Sequence, residues 1–251
     1  MENPQLFNLQ PMQQKLDILV IAAHPDDAEL ACAGTLALSA AQGKKTGIVD
    51  LTKGEMGTRG TPDLRLKEAN DSANILGLTV RDNLGFEDVF FKNDREHQTE
   101  IARIIRKYQP DILITNAISD RHPDHGKSAE TVRDAVFLAG LQKLSTMDEG
   151  ELQKPYRPRA LYHFIQNNYL EPDFIVDISD FWKQKIESIK AYASQFYNPE
   201  SNEPETFISS EGFLRFVEAR HRELGHRIGV EYGEGYTVNR NIGVKDISSL
   251  I

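Results

Sequence analysis

Two short segments concentrate the groups that bind a divalent ion and move protons beside it. They are His24-Pro25-Asp26-Asp27, with Glu29 close behind, and Asp120-Arg121-His122-Pro123-Asp124-His125. Neutral imidazoles and carboxylates are the nitrogen and oxygen ligands of zinc, and the same groups act as general acids and bases. His24 and Asp27 are three residues apart, a spacing that lets both aim at one ion across a strand-to-helix turn. A third ligand from His122 or His125 completes a set of two imidazoles and one carboxylate. Three protein ligands leave a fourth position for water, whose pKa falls to about 7 on zinc. Asp26 adjoins a ligand and points elsewhere, so it is placed to accept a proton from that water. Asp124 and His122 form a candidate relay or ligand-orienting pair. The same donor set also accepts iron, cobalt or manganese in place of zinc.

Such a site needs elements that bring residues about a hundred positions apart into contact. Leu16 to Ala23 is a compact apolar run, the pattern of a central parallel strand. Asp26 to about Gln42 reads as a helix, with Asp26 and Glu29 resembling a capping box and Gly43 ending it. Thr46 to Leu51 is a second strand. Thr61 and Pro62 open a second helix that Gly77 closes, and Val80 to Leu84 is a third strand. Ile101, Ile104, Ile105 and Tyr108 make the apolar stripe of a third helix, which Pro110 stops. Asp111 to Thr115 is a fourth strand, and a helix follows from about Gly126 to Leu144. Further on, Ala160 to Ile165 and Phe174 to Ile178 read as strands. Ser179 or Asp180 caps a helix through Trp182, Ile186 and Ile189, and a last helix spans about Ser210 to Arg227.

This alternation predicts a single doubly wound, mostly parallel Rossmann-like α/β sheet with helices on both faces. Residues 1–15 form a polar arm, and 16–251 one domain. In a 3-2-1-4-5 strand order, ligands bind beyond the carboxyl ends of the first and fourth strands, where the order reverses. His24 follows the first strand, and His122 and His125 follow the fourth, so topology alone sets the two segments face to face. No Gly-x-Gly-x-x-Gly follows the first strand, and two carboxylates there repel a pyrophosphate, which argues against a nucleotide-binding module. A metal-binding protein without catalysis is a further alternative; it leaves Asp26 without a task.

Bulk properties narrow the class further. A chain of 251 residues with a formal charge of −9 has little reason to bind nucleic acid or anionic membrane nonspecifically. The single cysteine, Cys32, rules out an intrachain disulfide and a cysteine-built zinc site, and reads as a buried helical thiol. With no visible signal peptide or membrane-length apolar run, the expected compartment is the cytoplasm. His97, His163, His221 and His226 have no carboxylate motif nearby and read as structural or surface residues.

The chain resembles the PIG-L/LmbE-like de-N-acetylases along nearly its whole length. The matching segments are Ala23-His24-Pro25-Asp26-Asp27, Asp50-Leu51-Thr52-Lys53-Gly54-Glu55, Arg65-Leu66-Lys67-Glu68-Ala69 and Arg121-His122-Pro123-Asp124-His125. Ala191-Tyr192-Ala193-Ser194-Gln195-Phe196 and Gly229-Val230-Glu231-Tyr232-Gly233-Glu234-Gly235-Tyr236 extend the match. Gly54 to Thr61 and the late Glu-Tyr-Gly-Glu-Gly look like the bacillithiol branch, which hydrolyses N-acetylglucosaminyl-malate. Many family members carry glutamate directly after the two aspartates; here Ala28 intervenes, as in the bacillithiol branch. The resemblance implies one Zn2+ per chain on His24, Asp27 and His125, with Fe2+ or another divalent ion as substitute. It implies Asp26 as general base, and His122, oriented by Asp124, as oxyanion stabiliser or amine protonator. It also implies Arg59 as an anion contact, Tyr232 as a site-lining residue, a small N-acetyl-sugar conjugate as substrate, and a homo-oligomer. From its residue type alone, Arg59 is either a carboxylate clamp or a solvated loop arginine. Lys53 and Arg65 are weaker candidates, Arg65 equally readable as a helix-surface residue. The 54–60 stretch and the 198–205 loop are both candidate lids. Another N-acetylated sugar or oligosaccharide is the rival substrate.

Overall fold

The computed structural model describes residues 14–249, so the expected arm lies almost wholly outside the described residues. Five consecutive buried apolar residues form β1 (Ile18–Ala22), followed by α1 (Asp27–Ala41). The alternation continues through β2 (Thr46–Thr52), α2 (Pro62–Leu76), β3 (Val80–Phe86), α3 (Arg95–Tyr108), β4 (Ile112–Thr115) and α4 (Pro123–Ala139). A short hairpin, β5 (Met147–Asp148) and β6 (Glu151–Leu152), precedes β7 (Ala160–Phe164) and β8 (Phe174–Asp177). Then come α5 (Trp182–Lys190), α6 (Phe213–Arg227) and β9 (Gly233–Val238). Among the described residues, no helix is long and apolar enough to cross a membrane.

The main sheet runs β3-β2-β1-β4-β7-β9-β8. The strands from β3 to β7 pair in parallel, and β9 runs antiparallel to both β7 and β8. β1 pairs with β4, Ile18 opposite Ile112 and Ile21 opposite Thr115, so the order reverses where the two motif segments emerge. Side chains alternate across the sheet, as a pleat requires. Leu19 and Ile21 join Ile101, Ile104 and Ile105 of α3 and Val132 and Ala135 of α4 in one core. Ile18, Val20 and Ala22 face the opposite side, against Ala28, Ala31, Cys32 and Leu36 of α1.

Local signals explain the helix ends. Thr61 caps α2 by accepting the Leu64 N–H, Pro62 fills the first helical position, and Gly77 ends the helix in the left-handed region at φ 66°. α4 begins at Pro123 rather than Gly126, because His122 serves as its cap and Pro123 fits the first turn. It ends at Ala139 rather than Leu144, at Gly140, where a Cβ would lie 2.6 Å from Arg157. The expected capping box on α1 does not form: Asp26 makes no side-chain cap, and Glu29 is buried against Arg81, Ser72 and Tyr192.

A buried ion pair is inserted into α1. Lys185 Nζ donates to the carbonyls of Glu29 and Leu30, each at 2.9 Å, and to Glu234 Oε1 at 2.8 Å. The Glu234 carboxylate accepts the N–H groups of Gly34 and Thr35 and the Thr35 hydroxyl. Both charged side chains are 0% exposed. This clamp from α5 and β9 fixes the helix whose first turn carries Asp27.

Candidate active site

The ends of β1 and β4 are tied before any ligand chemistry begins. Asn116, just past β4, accepts the Ala23 N–H at 2.8 Å and donates to Asp27 Oδ2 at 3.1 Å. Asp27 Oδ2 also accepts the His24 N–H, and Gln166 Nε2 donates to Oδ1 at 2.6 Å. The Asp27 carboxylate therefore sits fixed between two imidazoles. His24 Nδ1 lies 3.3 Å from Oδ2, and His125 Nε2 lies 3.1 Å from Oδ1.

The opposite nitrogen of each ring is held by carboxylates. His125 Nδ1 meets Asp120 Oδ2 at 2.6 Å. His24 Nε2 lies 3.3 Å from Asp124 Oδ2 and 3.0 Å from Asp88 Oδ1. A carboxylate behind each ring places the proton on the far nitrogen and leaves the near lone pair for an ion. His24 Nδ1 and His125 Nε2 thus flank the Asp27 carboxylate, a His₂Asp donor set suited to a catalytic divalent cation, while His24 also groups with His122 and His125, and with Asp88 and Asp124, closely enough to share an ion. Burial works against charge on His125, but Asp27 and Asp120 outweigh it and lift the ring to about 9. His24 is likewise driven well up by Asp124, Asp27 and Asp88 against its burial. Asp27 is held well below the usual carboxylate range, the two imidazoles overcoming its desolvation.

Asp26 occupies the turn between His24 and α1 with φ at 109°, a left-handed conformation that Asp tolerates better than most residues. The turn aims its carboxylate away from Asp27 and toward Arg65. Arg65 Nη2 donates to Asp26 Oδ2 at 2.9 Å and to the Pro25 carbonyl at 2.5 Å, and Nη1 reaches the Gly54 carbonyl at 3.3 Å. Arg65 is buried, not a helix-surface residue. Burial raises the Asp26 carboxyl to about 7, with Arg65 opposing the shift.

His122 packs edge-on to His24 and stacks on His125. Its Nδ1 accepts the Asp124 N–H at 3.3 Å, so the neutral ring carries its proton on Nε2. Burial, then the charges on His24 and His125, hold it below the usual histidine range. The expected orientation of His122 by the Asp124 side chain is corrected: the contact is to the backbone. The carboxylate turns instead to His24, the Val89 N–H and Lys127 Nζ, because α4 buries it beneath the first turn.

His24, Asp26, Asp27, His122 and His125 line a cavity of about 290 Å³. Arg59, Arg121 and Arg220 supply cationic walls, and Phe207, Ile208, Phe213 and Val217 supply an apolar one. Arg59 is buried; Ser201 Oγ lies 2.8 Å from its Nη2 and Glu203 Oε2 lies 3.6 Å from its Nε. Glu203 also accepts the Gly60 N–H at 2.9 Å, so the two candidate lids touch each other. Lys53 is exposed and outside the cavity lining.

Tyr232 is a second correction. It is not part of the cavity wall. Its ring stacks on Trp182 with centroids 4.2 Å apart, Arg222 covers it at 4.5 Å, and its hydroxyl meets Glu218. Trp182 and α6 capture the aromatic before it can reach the cavity. Of the four histidines read as structural, His221 lines the cavity, with its Nδ1 on the Val217 carbonyl. Sequence reasoning missed Asp88, Asn116, Gln166 and Arg220, which stand alone without a motif. Asp120 had a signal: its place in the second His-Asp segment, five residues before His125.

Comparison with known proteins places the chain in a family. Residues 19–136 match the PIG-L family, GlcNAc-PI de-N-acetylase. The chain is 30% identical to a diacetylchitobiose deacetylase from Thermococcus kodakarensis over 237 residues, 90% of this chain and 84% of that protein. It is 27% identical to a probable N-acetyl-alpha-D-glucosaminyl L-malate deacetylase 2 from Bacillus anthracis, over 74% of this chain and 84% of that protein. A conserved protein from Thermus thermophilus shares the fold with a TM-score of 0.82 and 37% identity, over 92% of this chain and 98% of that one. The chain therefore belongs to the PIG-L de-N-acetylase family.

Proposed function

We propose that this protein is a metal-dependent amidase that removes the N-acetyl group from an N-acetylglucosamine conjugate carrying a carboxylate, with N-acetylglucosaminyl-malate as the favoured substrate. The observation that carries the reading is that His24 and His125 flank the two oxygens of the Asp27 carboxylate, with Asp26 beside them in the same cavity. Those three residues would hold the ion, zinc by donor chemistry. When bound, it supplies polarisation of the acetamide carbonyl and acidification of a water.

The remaining work falls to the chain. Asp26 Oδ2 is pinned by Arg65, which leaves Oδ1 to take a proton from the attacking water. The oxygen adds to the acetyl carbon, and His122 Nε2–H donates toward the oxyanion as charge develops. The C–N bond then breaks as the nitrogen takes the proton that Asp26 accepted, and acetate and a free amine leave. The PIG-L membership and the activities named for the Thermococcus and Bacillus relatives support hydrolysis of an acetylated glucosamine. Arg59, Arg121 and Arg220 around the cavity, apart from Arg65 that is paired with Asp26, support an anionic aglycone over a neutral disaccharide.

Acetate release from N-acetylglucosaminyl-malate, N,N'-diacetylchitobiose and N-acetylglucosamine tests this. A charge-assisted contact contributes about 1.5–3 kcal/mol, so the malate conjugate should lead by roughly ten-fold or more in kcat/KM. Equal turnover of all three overturns the anionic aglycone. Turnover of none by metal-loaded protein overturns the amidase itself.

A further inference from the structure

Asp88 lies just beyond β3, is buried, lines the same cavity, and takes no part in the proton transfers proposed for Asp26 and His122. Its Oδ1 faces His24 Nε2 at 3.0 Å. The single Nε2–H is aligned with Asp124, so Asp88 Oδ1 has no aligned hydrogen-bond donor among the described residues. Two buried carboxylates thus converge on one ring N–H. Leaving a buried carboxylate oxygen without a donor is unfavourable, which makes the arrangement hard to explain as packing.

The surrounding backbone supports a positional task. Val89 adopts φ of 70°, a left-handed conformation that a β-branched residue rarely takes. That turn directs the Val89 N–H to Asp124 Oδ2 at 2.9 Å, while Lys127 Nζ holds the Val89 carbonyl at 2.7 Å. On its other side, Asp88 Oδ2 accepts the Met56 N–H at 3.0 Å, and Glu55 Oε1 accepts the Asp88 N–H at 2.8 Å. The Gly-rich loop that carries Arg59 is therefore braced by the same residue that faces His24.

We propose that Asp88 is a positioning residue: with Asp124 it fixes the His24 ring so that Nδ1 faces the ion, and it couples ion binding to the order of the 54–60 loop. The proposal rests on His24, Asp27 and His125 being the ligands. A carboxylate behind an imidazole ligand sets its tautomer and raises its basicity, and losing one weakens the ion by about 10–100-fold. Strain at Val89 is tolerated because it holds Asp88 and Asp124 on the same ring edge.

The test is zinc affinity measured by chelator competition, together with hydrogen exchange of the 54–60 amides with and without zinc. Asp88→Asn keeps an oxygen for the Met56 N–H and loses the charge facing His24. It should bind zinc about 10–100-fold more weakly while the loop keeps its protection. Asp88→Ala should show the same weakening and also lose the zinc-dependent protection of 54–60, and Asp88→Glu should restore affinity in part. Wild-type affinity in Asp88→Asn overturns the positioning role. Equal loop protection in wild type and Asp88→Ala overturns the coupling. Two zinc ions per wild-type chain also overturn it, by making Asp88 and Asp124 ligands of a second ion. The companion variant His125→Ala should lose zinc; if it binds normally, the ligand set itself is wrong, a failure distinct from the others.

Discussion

Replacing Lys185 with Met tests whether the buried clamp holds α1 in place. Lys185 Nζ has three acceptors, the Glu29 and Leu30 carbonyls and Glu234, all within 2.9 Å and all buried. Removing one partner of a buried pair costs about 3–5 kcal/mol, because the other charge remains without compensation. Glu234 keeps the N–H groups of Gly34 and Thr35 and the Thr35 hydroxyl, which places the loss at the lower end, about 3 kcal/mol. In a chain of this size each kcal/mol moves the melting temperature by about 2–4 °C, so Lys185→Met should melt about 6–12 °C lower. Calorimetry on the ion-free protein gives that number without interference from ion binding. The double variant Lys185→Met/Glu234→Gln should recover part of the loss, since it removes the stranded charge. A drop under about 2 °C, or a double variant no better than the single, refutes the electrostatic reasoning.

Other consequences concern the chemistry. Asp26→Ala should lower kcat by about 10²–10⁴-fold, the range for loss of a general base, while keeping one ion per chain by elemental analysis. An unchanged kcat removes Asp26 from the mechanism. The pH profile of kcat/KM should carry an acid limb at or below pH 7. The ion-free carboxyl lies near 7, only its deprotonated form accepts a proton, and a neighbouring cation can only lower it. A limb above pH 8 contradicts that assignment. Glu203→Gln should lower KM for the malate conjugate and leave neutral N-acetylglucosamine unchanged, because Glu203 is a carboxylate already resting beside Arg59. Equal effects on both sugars refute a shared anion site.

The parallel half of the fold is legible in the sequence because each element announces itself locally. The apolar run ending at Ala23, the Thr61-Pro62 start of α2 and the stripe of α3 each specify an element. The order-reversal rule then places His24 opposite His125. What escapes such a reading depends on contacts that sequence neighbours do not encode. Asp26 and Glu29 have the spacing of a capping box, but Arg65 and Arg81 arrive from other elements and take their carboxylates. Asp88 and Gln166 sit on loops brought to the site only by β3 and β7. β9 falls within a matched family motif, yet its Gly-Glu-Gly start lacks the apolar run that marks a strand. Tyr232 lies within the same motif, yet Trp182 and Glu218 hold it away from the cavity.

The most direct test of the central claim is stoichiometric zinc loading of wild type, His24→Ala, Asp27→Ala and His125→Ala, with acetate release measured on the same samples. One zinc per wild-type chain, lost together with turnover in all three variants, is the predicted result. Zinc retained at wild-type affinity in any two of the variants, or full turnover after chelation, contradicts it.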